Sequence, residues 1–262
     1  MPVQSRNRLS SVANAARVLK SFSSHHPTWG VGELAHHLSL STSTTHRLLS
    51  TLADEGLLDQ DATDGRYRLG LTVFDLAAAA PTQRTLHEAS LVAMTELRSR
   101  TGETVQIGVL DGREVVYVER LDSPHTLRVF TELGRRNHVH CSSTGKVLLA
   151  FAPRHRRDAL LAGWQPPALT DRTITDMTIL RKELTKIRRT GYAENREEAE
   201  PGVVSVAAPI RDGSGEAVAA MSLAGPSDRM DINRGEYPAV VTFLAKAISA
   251  QMGWTPPGDS GS

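Results

Sequence analysis

The chain has 262 residues, 40% hydrophobic and 23% charged, enough to build two domains with real cores and unlike a disordered protein. The net charge of +1 gives no bulk sign of a nucleic-acid partner, and the single cysteine, Cys141, excludes an intrachain disulfide. The N-terminus lacks the apolar core of a signal peptide and no run reaches the roughly 18 apolar residues of a membrane span, so a cytoplasmic, soluble protein is expected.

Charge distribution says more than its total. Residues 1–53 carry Arg6, Arg8, Arg17, Lys20 and Arg47 against one acid, Glu33, and an acidic shoulder (Asp54, Glu55, Asp59, Asp61, Asp64) follows. Val12, Ala15, Ala16, Leu19 and Phe22 recur at steps of three and four, predicting an amphipathic helix over about 9–22 that ends at Ser23–Pro27. Val31, Leu34, Ala35 and Leu38 predict a second, short helix. A turn at Leu40 and a capping serine, Ser41 or Ser43, open a third helix over 42–56, stopped by Gly56. Thr45, Leu48, Leu49 and Leu52 form its apolar back, and Thr42, Ser43, His46, Arg47 and Ser50 its polar front. Two helices joined by about four residues, the second with small polar side chains at its start, form the helix-turn-helix pattern. The same pattern suits a plain helical bundle.

The next segment favours the helix-turn-helix. Leu57–Gln60, the turn Thr63-Asp64-Gly65 and Arg66–Leu69 read as a hairpin, which after a recognition helix is a wing. Arg66 and Arg68 share a strand face open to a phosphate backbone or to solvent. The run Ser43-Thr44-Thr45-His46-Arg47-Leu48-Leu49, then Gly56, then Gly65-Arg66-Tyr67-Arg68-Leu69-Gly70 resembles the DNA-binding domain of the isocitrate lyase regulator (IclR) family. With that resemblance, the expected DNA-binding residues are Thr42, Ser43, Thr44, His46, Arg47, Ser50 and Arg66.

Leu71–Ala80 is helix-prone and stops at Pro81; a further helix is predicted over about 84–100. Beyond Thr101-Gly102 the period becomes two. Thr104–Leu110 and Glu114–Val118 predict a hairpin about Asp111-Gly112, and Leu127–Phe130 a further strand. Helices follow at Thr144–Ala150, Leu180–Arg189 and about 236–252, with strands at Val203–Ile210 and Ala217–Leu223. Hairpins with helices between them indicate an α+β domain with a mainly antiparallel sheet. The family resemblance continues through Thr101-Gly102-Glu103-Thr104-Val105, Gly134-Arg135-Arg136, Ser143–Ala150, Gly191-Tyr192-Ala193, Ala207–Ile210 and Gly225-Pro226, covering roughly residues 10–250.

The resemblance implies a winged helix-turn-helix domain (8–70), a linker helix (71–83), a GAF-like effector domain (84–253) and a disordered tail (254–262). It also implies a homodimer or homotetramer on a pseudo-palindromic operator of double-stranded DNA, with a small organic effector. The ligand residues it points to are Ser143, Thr144 and Gly145 at a helix start, Glu198 on the strand after Gly191-Tyr192, and Ser205 and Ser222 on the last two strands. Glu197 and Glu200 are alternatives to Glu198. A Ser-Thr-Gly helix start offers amides, hydroxyls and a favourable dipole to a carboxylate, although Ser143 also suits a plain cap.

Enzymatic readings fare worse. His138, His140 and Cys141 include metal-ligand types, but no fourth ligand cluster stands elsewhere, and a sequence-adjacent Cys–His pair seldom makes a nucleophile. Gly145-Lys146 ends like a phosphate-binding loop, yet His140 occupies the position five residues before Gly145 that must be glycine. No catalytic residue, metal or cofactor is therefore assigned. The competing class, a small-molecule binding protein or enzyme with an N-terminal protein-contact domain, has no need of the Thr42–Arg47 face, which DNA binding requires.

Overall fold

A computed structural model describes residues 9–23, 25–79, 81–129, 133–232 and 235–256. The chain forms two compact units, Met1–Pro81 and Thr82–Ser262.

The N-terminal unit contains α1 (Ser10–Lys20), β1 (Thr28–Trp29), α2 (Val31–Leu38), α3 (Thr42–Asp54), β2 (Leu58–Gln60), β3 (Tyr67–Leu69) and α4 (Thr72–Ala78). Its core is the set of apolar positions spaced for helices: Val18, Leu34, Leu38, Leu49 and Leu52, closed by Leu58 and Tyr67 of the hairpin. α3 ends where Gly56 takes φ +71°, which lets the Leu57 amide reach back to the Leu52 carbonyl and swings the chain into β2. The wing has one more strand than the sequence predicts: Thr28 and Trp29 pair with Arg68 and Tyr67, giving the order β1–β3–β2. Two residues are too few for a period-2 signal. Trp29 is held in place by stacking between His26 and His37 and by donating its indole N–H to the Ser21 carbonyl at 2.9 Å.

The C-terminal unit begins with α5 (Pro81–Thr101), in which proline takes the first helical position, where its missing N–H costs nothing. β4 (Thr104–Asp111), β5 (Glu114–Leu121), β6 (Arg136–His138), α6 (Ser143–Phe151), α7 (Arg154–Leu161), α8 (Met177–Thr190), β7 (Ala193–Arg196), β8 (Val203–Arg211), β9 (Ala217–Pro226), α9 (Ser227–Ile232) and α10 (Tyr237–Gln251) follow. The sheet is wholly antiparallel, ordered β6–β5–β4–β9–β8–β7. Side chains alternate across it and build two cores. Val105, Ile107, Val206, Ala208, Met221 and Leu223 pack against α5 and α10. On the other face Tyr117, Ala193, Ala207 and Ala220 pack under α6 and α8 through Leu148, Leu184 and Ile187.

The strand expected over Leu127–Phe130 is absent at 127–129, and Phe130 lies outside the described residues. Thr104 there donates its hydroxyl to the Val129 carbonyl, a single side-chain bond in place of a ladder. Of the tail expected from 254, residues 257–262 also lie outside; Trp254 itself donates its amide to Ser249. Among the described residues no helix is long and apolar enough to cross a membrane.

Candidate functional site

In the N-terminal unit, α3 turns Thr45, Leu49 and Leu52 inward and leaves Thr42, Ser43, His46 and Arg47 exposed. Ser41 is the cap: its hydroxyl oxygen accepts the Thr44 amide at 3.2 Å and its hydroxyl donates to Thr44 Oγ1 at 2.8 Å. Thr44 is thereby half-buried in the cap rather than presented. Ser50 is half-buried and donates to the Arg47 carbonyl at 3.2 Å. The front that remains carries hydroxyls, an imidazole and a guanidinium on a helix end narrow enough for a major groove about 12 Å wide.

Arg66, expected on the outer face of the wing, turns across the surface to the start of α2. Its Nη2 lies 2.7 Å from Glu33 Oε2, its Nη1 donates to Oε1 at 3.2 Å, and its Nε donates to Thr28 Oγ1 at 3.1 Å. The fork is spent on tying the wing to the start of α2, and the bond from Arg66 holds the Glu33 carboxyl below the usual range. Arg68 stays exposed, 3.8 Å from Asp59. Of the other N-terminal cations, Arg17 caps α2 by donating to the Leu38 carbonyl at 2.7 Å, and Arg6 and Arg8 lie outside the described residues.

In the C-terminal unit, a cavity of about 230 Å³ opens between the start of α6, the sheet and the 197–203 turn. The floor comes from Gln106, Tyr117, Asn195 and Ser205, the wall from Ser142, Cys141 and Asn137, and the rim from Arg135, Arg136, Glu114 and Glu200. Gln106, Asn195 and Ser205 share one sheet face because their register partners, Ser222, Ser205 and Ala224, place them on it. Burial pushes the Tyr117 hydroxyl up and keeps it protonated, so it remains a donor as well as an acceptor. Arg136 is neutralised by Asp111 at 2.7 Å and Glu114 at 3.0 Å.

The residues expected to hold a ligand are distributed unevenly about this cavity. Ser205 lines it. Ser143 lies buried directly beneath, its hydroxyl 2.8 Å from that of Ser205. Ser142, one residue earlier than expected, both caps α6 through the Gly145 amide at 3.1 Å and faces the cavity. Thr144 and Gly145 pack into the core. A Cβ on Gly145 would fall within 2.6 Å of the Val139 carbonyl oxygen, so its glycine serves close packing. Ser222 is buried opposite Gln106 and Ala207 and stays off the cavity wall.

Glu198 sits in the turn after β7, not on the strand, and its carboxylate turns from the cavity to Lys146 Nζ, at 2.6 and 2.7 Å. Lys146 is 1% and Glu198 7% exposed. Thr170 and Thr173 donate hydroxyls to the Glu197 and Glu198 carbonyls at 2.8 and 2.7 Å, fixing the turn that carries Glu200 to the rim. Sequence reading missed this pair because it weighed Lys146 only as part of a phosphate loop. Gln106, inside the apolar run Val105–Val109, was the available signal for the cavity floor.

Cys141 also lines the cavity, but burial pushes its thiol up to about 12, which removes the nucleophilic thiolate. His140 bonds the Pro167 carbonyl through Nε2 at 2.9 Å and meets the Trp164 edge, and burial pushes its imidazole down toward the neutral form. Among the described residues no group of three or more His, Cys, Asp or Glu is placed to hold a metal ion.

Comparison with known proteins matches both units. Residues 11–62 match the family model of the IclR helix-turn-helix domain, and residues 78–250 that of the bacterial transcriptional regulator IclR C-terminal region. The HTH-type transcriptional regulator KdgR of Escherichia coli K12 is 36% identical over 226 residues, 86% of each chain. XynR of the same strain, also named an HTH-type transcriptional regulator, is 34% identical over 85% of this chain and 88% of its own. The structure of an IclR homologue from Microbacterium hydrocarbonoxydans complexed with 4-hydroxybenzoate superposes with a TM-score of 0.82 at 27% identity, covering 92% of this chain and 98% of that one.

Proposed function

The chain belongs to the IclR family of bacterial transcriptional regulators, with an N-terminal helix-turn-helix DNA-binding domain and a C-terminal effector domain, and on that premise we propose that a small organic carboxylate, held in the cavity beside Ser205, controls its affinity for a specific operator. The observation that carries this reading is the cavity itself. It is closed by sheet, α6 and the 197–203 turn, furnished with neutral donors and acceptors (Gln106, Tyr117, Asn137, Asn195, Ser205), and placed at a helix N-terminus whose dipole favours an anion. The relative whose structure holds 4-hydroxybenzoate is a carboxylate-bound member of the same family.

On the DNA, Thr42, Ser43, His46 and Arg47 read the major groove, Thr44 and Ser50 support them, and Arg66 sets the wing angle for Arg68 to meet phosphate. The working form is a homodimer or homotetramer in the cytoplasm on a pseudo-palindrome whose half-sites lie about 10 base pairs apart. Residues 8–70, 71–83 and 84–253 act as reader, connector and sensor. The protein is not an enzyme; its relatives bear regulator names, and AllR of Salmonella typhi is named a repressor. Ligand and operator are coupled by about 1–3 kcal/mol, the differential affinity of the effector for the two states.

Selection of binding sites from random duplex DNA tests this, with Arg47→Ala as control. Enrichment of an inverted repeat that Arg47→Ala no longer selects, and whose affinity shifts when small organic acids are added, is the expected result. A folded protein that enriches nothing with or without those acids would overturn it.

A further inference from the structure

A second cavity, of about 250 Å³, opens at the other end of β8, between the end of α8, Phe151 and α10. Among the described residues its lining includes four cations, Arg188, Arg189, Arg211 and Lys246, and no carboxylate. Among the described residues Arg188, Arg189 and Lys246 make no ion pair, and each is exposed at the cavity mouth. Arg211 lies deeper. Its guanidinium is 4.7 Å from the centre of the Phe151 ring and 5.8 Å from that of Trp254, and one of its nitrogens donates to the Gly215 carbonyl at 2.8 Å. Burial first, and then the charge of Arg188, pull the Arg211 guanidinium below its usual range. Thr242, on the same wall, has its hydroxyl oxygen shielded from solvent with no hydrogen-bond partner.

Folded proteins pair the charges they desolvate, because an uncompensated one costs several kcal/mol. Here a half-buried guanidinium and three more cations, with no ion pair among the described residues, line one hollow. Beside it cations outnumber acids among the described residues: Arg154, Arg157 and Arg181 share the carboxylate of Asp158, at 3.6, 3.5 and 3.8 Å, and Glu216 is the other acid lining that neighbouring hollow. The missing component is an anion. Two guanidinium forks and an ammonium suit a group bearing nearly two charges and several acceptor oxygens, and a phosphate monoester carries about −1.5 to −2 at neutral pH. The hollow, about 250 Å³, admits a phosphate and a few further atoms.

We propose that this cavity is a second ligand site, separate from the one beside Ser205, that binds a small phosphate-bearing metabolite through Arg188, Arg211 and Lys246. The test is calorimetry and thermal unfolding of the full-length protein with inorganic phosphate as probe, against chloride at matched ionic strength. Arg188→Gln/Lys246→Gln is the informative variant, because both side chains are exposed and hold nothing else in place. Saturable, phosphate-specific binding that weakens at least tenfold in that variant, and is retained in Asn195→Ala of the other cavity, is expected. Stabilisation equal to that by chloride, binding undiminished in the double variant, or equal loss in Asn195→Ala would each overturn the proposal. So would a double variant that loses only DNA affinity while the parent shows no phosphate binding, which would assign the patch to a duplex backbone.

Discussion

Replacing Lys146 by methionine isolates the buried ion pair. The variant keeps the length and most of the packing of the side chain but leaves Glu198 at 7% exposure with only the Arg196 amide, 3.4 Å away, to bond its carboxylate. Either the charge stays unpaired or the carboxyl takes a proton. Holding it protonated at pH 8 from an unfolded value near 4.3 costs about 5 kcal/mol at roughly 1.4 kcal/mol per unit, an upper bound. Removal of one partner of such a pair costs about 3–5 kcal/mol by the general rule, and the two figures agree.

The pH dependence has a definite sign. Burial already pushes the Glu198 carboxyl up, with Lys146 opposing it, so without Lys146 its folded value stands well above the unfolded one. A raised carboxyl stabilises the fold below the unfolded value and loses that contribution as pH rises. Urea unfolding followed by circular dichroism should therefore show Lys146→Met destabilised by about 3–5 kcal/mol at pH 8 and clearly less at pH 5, with Lys146→Met/Glu198→Gln regaining most of the difference. A loss below about 1 kcal/mol at pH 8, or one equal at both pH values, would refute the argument, because a packing defect does not titrate.

Three further outcomes follow from the same geometry. Gly145→Ala drives a methyl into the Val139 backbone, and a loss of at least about 1–3 kcal/mol in urea unfolding is expected; a neutral result would mean that α6 can slide. The Cys141 thiol should titrate near 12 by ultraviolet absorbance and, being buried and protonated, resist alkylation at pH 8 until the protein unfolds; its raised value favours the fold below about pH 8.5, and that contribution is lost progressively as pH rises toward 12. Arg66→Ala frees the wing from Glu33 and Thr28 and should weaken operator binding without changing which bases are selected, whereas Arg47→Ala should cost about 1–3 kcal/mol and relax selection; anisotropy titrations on matched and mutated operators separate the two.

The helices of the N-terminal unit were legible because their apolar positions repeat at three and four and their ends carry the signals that backbone geometry requires, Ser41 before α3 and Gly56 after it. The β4–β5 hairpin was legible from two strand-like runs about the Asp111-Gly112 turn. Elements too short to hold a period escaped: β1 and β6 have two and three residues and exist through pairing with longer strands. Site residues divided on a similar line. The polar front of α3 follows from its helical period, but which serine faces the cavity turns on the cap, and capping by Ser142 instead of Ser143 rotates the expected residues one place into the core. Arg66 and Glu198 were misplaced because their partners, Glu33 and Lys146, lie 33 and 52 residues away, a distance local pattern does not span.

The alternation of the central sheet has an evolutionary side. Neighbouring positions on a strand answer to different masters: Val105 and Ile107 belong to the packing beneath α5 and α10, while Gln106 between them belongs to the cavity. The same holds for Val206 beside Ser205, and for Leu223 beside Ala224. Mutation can therefore redraw the chemical taste of the pocket one odd or even position at a time and leave the scaffold on the other side of the sheet untouched. A lineage built on such a frame can change the lining of one sheet face without relearning how to fold.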